Sequence, residues 1–241
     1  QTCALPILSP DGSTIAFAFQ GDIWKVSSKG GKAERITSND AYDVSPVWSP
    51  DGKNIAFASD RHGNMDIFII PAEGGSPRRL TYHSANEIPS AFSHDGSALY
   101  VSTHIQDSPK NSQFPSGGMG ELYAITVKDG ARTQTLTTPA EEIAVDPQGG
   151  FLIYQDKRGG ENYWRKHHTS SIARDIWKVD LKSKSHIRLI EHPAEDREPV
   201  ISSDGKTCYV LSERSGTFNV WSFPIDNPGS IKQLKIGRAH V

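Results

Sequence analysis

Short runs in which apolar and polar residues alternate recur along the chain, each closed off by turn-forming residues. One set reads Val44-Ser45-Pro46-Val47-Trp48, then Ile55-Ala56-Phe57-Ala58, then Asp66-Ile67-Phe68-Ile69-Ile70, then Arg78-Arg79-Leu80-Thr81. Runs this short, alternating with period two and rich in β-branched and aromatic residues, predict strands rather than helices. Asp51-Gly52 between the first two supplies the positive φ values of a tight hairpin, and Glu73-Gly74-Gly75 turns the third into the fourth. The set therefore predicts one antiparallel four-stranded unit. The same grammar returns at Ile15–Phe19 with Asp22–Val26, Leu99–Ser102 with Glu121–Val127, Phe151–Tyr154 with Asp175–Val179 and Cys208–Leu211 with Asn219–Phe223. The first copy is expected to lack its first strand.

A tetrapeptide marks each unit: Ser9-Pro10-Asp11-Gly12, Ser49-Pro50-Asp51-Gly52, Ser93-His94-Asp95-Gly96, Asp146-Pro147-Gln148-Gly149 and Ser202-Ser203-Asp204-Gly205. Their third positions lie 40, 44, 53 and 56 residues apart. Periods of roughly 40–50 residues belong to propellers or helical arrays, and segments of period 3.6 are lacking. The expected fold is all-β, a β-propeller of four-stranded antiparallel blades with about five present, at about 8–40, 41–84, 85–139, 140–193 and 194–235. A propeller closes to satisfy its terminal strand edges, so a piece of one is expected to be marginal or aggregation-prone alone.

The two ends read differently. Ile236–Val241 and Thr2–Ile7 can be encoded by reverse-complementary DNA strings, one base out of frame, as sequencing-adapter read-through would produce. Residues 1–7 and 236–241 are therefore set apart as adapter-derived, and 8–235 is read as a truncated native segment. Setting them apart removes Cys3 and leaves Cys208, so neither an intrachain disulfide nor a cysteine metal cluster is expected. The compartment stays open.

Charge narrows the partners. Among 241 residues, 26 Lys and Arg stand against 28 Asp and Glu, a net charge of −2 with no basic stripe to hold a phosphate backbone. Nucleic acid is not an expected partner. No apolar run approaches the roughly 20 residues of a spanning helix, so no membrane span is expected in this segment.

Trp48–Ile67, with its Ser-Pro-Asp-Gly-Lys and Ser-Asp-Arg-x-Gly-Asn elements, resembles the WD-like repeat shared by TolB, prolyl oligopeptidase relatives and tricorn-type proteases. More selective are Tyr163–Ser171, Arg174–Trp177, Glu195–Val200 and Leu211–Trp221, which together resemble the N-terminal propeller of tricorn-like serine peptidases over about Leu8–Lys235. The resemblance implies a six-bladed propeller, of which this is an incomplete part, then a seven-bladed one, a PDZ domain and a catalytic region carrying the serine nucleophile. None of that catalytic region lies here, so no catalytic residue is carried over. The implied role is non-catalytic: guiding or filtering peptides in proteolysis by a hydrolase. Implied partners are peptides, the peptidase domains of the same chain and further copies of the parent. The alternatives are a TolB-like protein-binding propeller without enzymatic activity, or the propeller of a prolyl oligopeptidase relative, which predicts a Gly-x-Ser-x-Gly elbow downstream.

Within the segment, the two long insertions Thr103–Gly120 and Asp156–Arg174 both fall between second and third strands and so share one face on adjacent units. The second gathers Lys157, Arg158, Tyr163, Trp164, Arg165, Lys166, His167, His168 and Arg174, able to pair with a carboxylate or stack on a side chain. Arg165, Lys166, His167, His168 and Arg174 are the candidate peptide- or partner-contact residues; the competing reading is a solvated loop packed on its neighbour. Arg61 and Arg214, near Asp43, Glu87 and Glu198, are expected to form ion pairs or hydrogen bonds between blades, in a structural role. His167-His168 has no third ligand at metal spacing, and Ser170-Ser171 has no elbow and no orienting acid. No metal and no cofactor are expected. Trp24, Trp48, Trp177 and Trp221 read as blade packing.

Overall fold

The computed structural model of the chain describes residues 6–105, 120–156 and 173–234. The described strands form five four-stranded antiparallel sheets, the blades of a β-propeller, and in each the strands hydrogen-bond in chain order. The first sheet comprises β1 (Ile7–Leu8), β2 (Thr14–Phe19), β3 (Asp22–Ser27) and β4 (Glu34–Arg35). The second is β5 (Asp43–Trp48), β6 (Asn54–Ser59), β7 (Asp66–Pro71) and β8 (Arg78–Arg79), and the third β9 (Glu87–Phe92), β10 (Ala98–Thr103), β11 (Glu121–Thr126) and β12 (Arg132–Leu136). The fourth is β13 (Ala140–Val145), β14 (Phe151–Asp156), β15 (Ile176–Asp180) and β16 (His186–Arg188), and the fifth β17 (Asp196–Ile201), β18 (Thr207–Ser212), β19 (Asn219–Pro224) and β20 (Lys232–Gln233). One compact unit carries β1–β12 and a second carries β13–β20.

The first sheet corrects the expectation of a missing strand. Ile7 and Leu8 pair with Ala16 and Ile15 and supply it. Two residues are too few to show an alternating pattern.

The Asp-Gly turns are built differently from the expected pair of positive φ values. Only the glycine adopts one: Gly52 has φ 68°, and its N–H donates to the Ser49 carbonyl at 2.9 Å. Asp51 instead anchors the loop with its carboxylate, accepting from Ser49 Oγ at 2.6 Å and from the Lys53 N–H at 3.0 Å, while Ser49 Oγ accepts from the Asn54 N–H at 2.9 Å. Ser9–Asp11, Ser93–Asp95 and Ser202–Asp204 repeat the arrangement. In the fourth sheet the acid has moved to the serine position, where Asp146 Oδ2 accepts from the Gly150 N–H at 2.8 Å. These are side-chain turns of the Asx kind, which hold a hairpin without any tertiary partner.

Apolar residues of the middle strands meet between neighbouring sheets. In the first unit Ala16, Ile23, Ile55, Phe57, Phe68 and Ile70 form one cluster, and Val47, Ile67, Leu80, Leu99, Val101 and Ile125 belong to another. In the second unit Ile153, Ile176, Cys208, Val210 and Phe223 pack together. Each fully buried Val, Leu, Ile or Phe among them contributes about 1.5–3 kcal/mol. Burial lifts the Cys208 thiol to about 12, so this cysteine is packing material and not a nucleophile near neutral pH.

Ion pairs stitch strands within a sheet. Asp at or just before the start of the third strand meets Arg on the fourth, 13 residues later, in Asp22–Arg35, Asp66–Arg79 and Asp175–Arg188, at 3.3, 2.7 and 3.2 Å. Asp at the start of the first strand meets Arg after the second, 18 residues later, in Asp43–Arg61 and Asp196–Arg214, at 2.8 and 3.1 Å. The expectation that Arg61 and Arg214 tie blades together is thereby corrected. Ser59 Oγ and Ser212 Oγ each accept from the arginine Nε at 2.9 Å and turn the guanidinium back onto its own sheet.

Candidate functional site

In the second unit, the ends of the first strands carry a charged network. Arg174, one residue before Asp175, lies between Glu195 Oε1 at 2.8 Å and Glu141 Oε2 at 3.4 Å. Arg197 Nε donates to the same Glu195 oxygen at 2.9 Å, and its guanidinium lies 4.5 Å from the Phe218 ring centroid. Gln155 Nε2 donates to Glu141 at 3.2 Å, and its oxygen accepts the Glu198 N–H at 3.0 Å. Burial works against the Arg174 charge, but the bond to Glu195 and the charges of Glu195 and Glu141 outweigh it and raise its pKa.

The strands themselves are kinked here. Pairing slips between Glu141 and Ala144 in β13 and between Arg197 and Val200 in β17, and at each bulge a glutamate takes positive φ: Glu142 at 48° and Glu198 at 52°. The first unit has the same bulge in β5, but there the residue is Ser45, at 52°. Bulges re-aim side chains, and non-glycine residues held at positive φ cost about 1–3 kcal/mol each. So the second unit holds two carboxylates where the first holds a hydroxyl.

Neither carboxylate makes a hydrogen bond or ion pair to another described side chain, although both arginines nearby are engaged by Glu195 and Glu141. Glu142 keeps contact with solvent, yet the protein packed around its carboxyl raises its pKa, with Glu198 and Glu141 adding like charge and Arg174 pulling back. Burial likewise raises Glu198, against the pull of Arg197. Two neighbouring carboxylates with no ion pair of their own among the described residues, beside arginines already engaged by other acids, favour a positively charged group from outside.

Of the candidate contact residues, Arg174 is placed in this network, with its side chain 11% exposed. Arg165, Lys166, His167 and His168 lie outside the described residues, as do Ser170 and Ser171. Sequence reasoning missed Glu142. Its signal is present in retrospect: Glu141-Glu142 and Glu198-Pro199 align with Val44-Ser45-Pro46 once first strands are superposed by their pairing with the second. Among the described residues no group of three His, Cys, Asp or Glu is placed to hold a metal ion, and no helix is long and apolar enough to cross a membrane.

Fold and site together define a β-propeller of WD-like repeats whose charged chemistry gathers at the first strands of two blades. The chain matches the model of the Tricorn protease N-terminal beta propeller domain over residues 4–235, and it belongs to that family. It is similar in fold to the tricorn protease, with TM-score 0.75 and 22% identity over 96% of this chain and 22% of that one. It is also similar in fold to a protein assigned as TolB from Agrobacterium tumefaciens, with TM-score 0.76 and 19% identity over 97% of this chain and 80% of that one. A 46-residue stretch is 46% identical to the Tol-Pal system protein TolB of Anaeromyxobacter dehalogenans (strain 2CP-1 / ATCC BAA-258), covering 17% of this chain and 11% of that protein.

Proposed function

We propose that this chain is the non-catalytic propeller of a tricorn-like serine peptidase and that it guides or filters peptides through the first-strand ends of its second unit. Family membership supports the parent class. The observation that carries the peptide role is the Glu142–Glu198 pair, two carboxylates with no ion pair of their own among the described residues, beside arginines already engaged by Glu195 and Glu141. A free peptide N-terminus, or a lysine or arginine side chain, supplies the missing charge. In this reading Arg174 positions the acids, and Arg165, Lys166, His167 and His168 extend the contact surface toward peptide carboxylates.

The test is titration of the 15N-labelled chain with an unstructured peptide of about ten residues. The reading predicts saturable amide shifts centred on Glu142, Arg174 and Glu198, diminished by N-acetylation of the peptide. Shifts absent there overturn it.

A second reading, a TolB-like protein-binding propeller without a peptidase, is favoured by the 46% identical stretch and by the likeness to TolB structures. Reading the gene outward from the codons of Leu8 and Lys235 separates the two. A downstream PDZ and serine-peptidase region supports the first, and a frame that stops after one further blade supports the second.

A further inference from the structure

Between the second and third sheets of the first unit, at the end carrying the Asp-Gly turns, lies a cleft of about 700 Å³. The corresponding space between the first and second sheets is crossed by two long side chains. There Lys25 on β3 crosses to the Ala72 carbonyl at 3.1 Å and to Glu73 at 3.4 Å, and Trp48 donates from Nε1 to the Ile7 carbonyl at 3.2 Å. Pairing register identifies the equivalent residues. Ile69 faces Ala56 as Lys25 faces Ala16, and Phe92 faces Leu99 as Trp48 faces Ile55. Both fillers are thus shorter in the second gap. The carbonyl equivalent to Ala72 is that of Val127, each N–H of the two bonding the residue just before its second strand. Here it is reached by Arg78 from the fourth strand, Nη2 to oxygen at 2.6 Å. The gap is bridged from outside and left open within.

What lines the opening is chemically sorted. Ile69, Phe92 and Val127 supply an apolar floor, Arg78 supplies a guanidinium fixed by one bond with its other N–H groups unspent, and Asp51 and Asp95 stand at the turns. Hydrogen bonds within their own hairpins keep both aspartates ionised well below neutral pH, led by Ser49 for Asp51 and Ser93 for Asp95. A cation on the fourth strand, anions at the two hairpin turns and an apolar floor match a small zwitterion with an apolar side chain, and the volume is that of sites for small organic ligands.

We propose that this cleft binds a free apolar amino acid or dipeptide, its carboxylate on Arg78, its ammonium toward Asp51 and Asp95, and its side chain on Ile69, Phe92 and Val127. The site stands on observations separate from those behind the peptide-guiding role and falls or holds independently of it. In a peptidase, such molecules are what peptide hydrolysis releases.

The probe is leucyl-leucine, added to the 15N-labelled full chain alongside its N-acetyl and C-terminal amide forms. The expected result is saturable shifts at Phe92, Gly96 and Val127, with either blocked form binding about tenfold more weakly, the loss of one charged hydrogen bond. Ser76→Trp, at an exposed position on the lining, fills the mouth and abolishes the shifts with an unchanged melting temperature. In Arg78→Ala the amide and the free acid bind alike. Absence of saturable shifts, equal binding of the blocked forms to the unaltered chain, or binding that survives Ser76→Trp overturns the proposal.

Discussion

The hairpin aspartates and the first-strand acids are the same chemical group put to opposite conditions. Asp11 and Asp95 lie at the surface, and hydrogen bonds from Ser9 and Ser13, or Ser93 and Ser97, hold their carboxyls at about 2. Glu87, Glu142, Asp196 and Glu198 stand at the first strands, where burial pushes all four upward. An acid bonded within its own turn is held ionised whether or not a ligand is present, and it serves the fold. An acid raised by desolvation and lacking an ion pair among the described residues is open to one, and in the second unit Glu142 and Glu198 are in that condition while their counterpart in the first unit is Ser45.

The largest effect that sharpens this contrast comes from the network under the bulges. Arg174→Ala removes one of the two arginines on buried Glu195 and one partner of Glu141, so urea unfolding should show a loss of about 2–3 kcal/mol. A loss below about 0.5 kcal/mol would mean that the network is a solvated surface pair. Next comes the turn. Ser49→Ala removes both the donor to Asp51 and the acceptor for the Asn54 N–H, and about 1–2 kcal/mol should go with them. A neutral outcome would show that Gly52 alone holds the hairpin.

The smallest effect has the opposite sign. Because the folded-state pKa values of Glu142 and Glu198 are raised, the folded chain binds more protons than the unfolded one between the ordinary value of 4.5 and the raised ones. Stability therefore falls as pH rises through that window, and the penalty is complete above it. Glu142→Gln with Glu198→Gln should raise the melting temperature at pH 7 by about 1–2 °C, a gain that vanishes below about pH 4. For the hairpin aspartates the sign reverses: their stabilisation is complete above the ordinary 3.8 and is lost as pH falls toward about 2. Circular dichroism melts across pH check both, and an equal response of the two classes would erase the distinction.

Much of this architecture is legible in the chain, because strand alternation and Ser-Pro-Asp-Gly turns are local. The Asp-to-Arg spacings of 13 and 18 residues are legible too, but only once strand order says which residues face each other. Ile7–Leu8 escaped because a two-residue strand has no pattern, and the direction of Arg61 escaped because Ser59 Oγ turns it. The bulges at Glu142 and Glu198 were the least readable feature. Positive φ at a glutamate is disfavoured locally, and it is imposed by pairing with β14 and β18. The sequence marks Arg174 as a contact residue, and the structure adds two glutamates to which it is already bound.

The most direct measurement is a 13C-detected titration of the side-chain carboxyls, made on the chain alone and with a peptide bearing a free N-terminus. Glu142 and Glu198 are expected to titrate above 4.5 and Asp11 and Asp95 near 2, with the peptide lowering only the two glutamates. Glutamates that titrate at their ordinary value, or that respond equally to an N-acetylated peptide, would contradict this expectation.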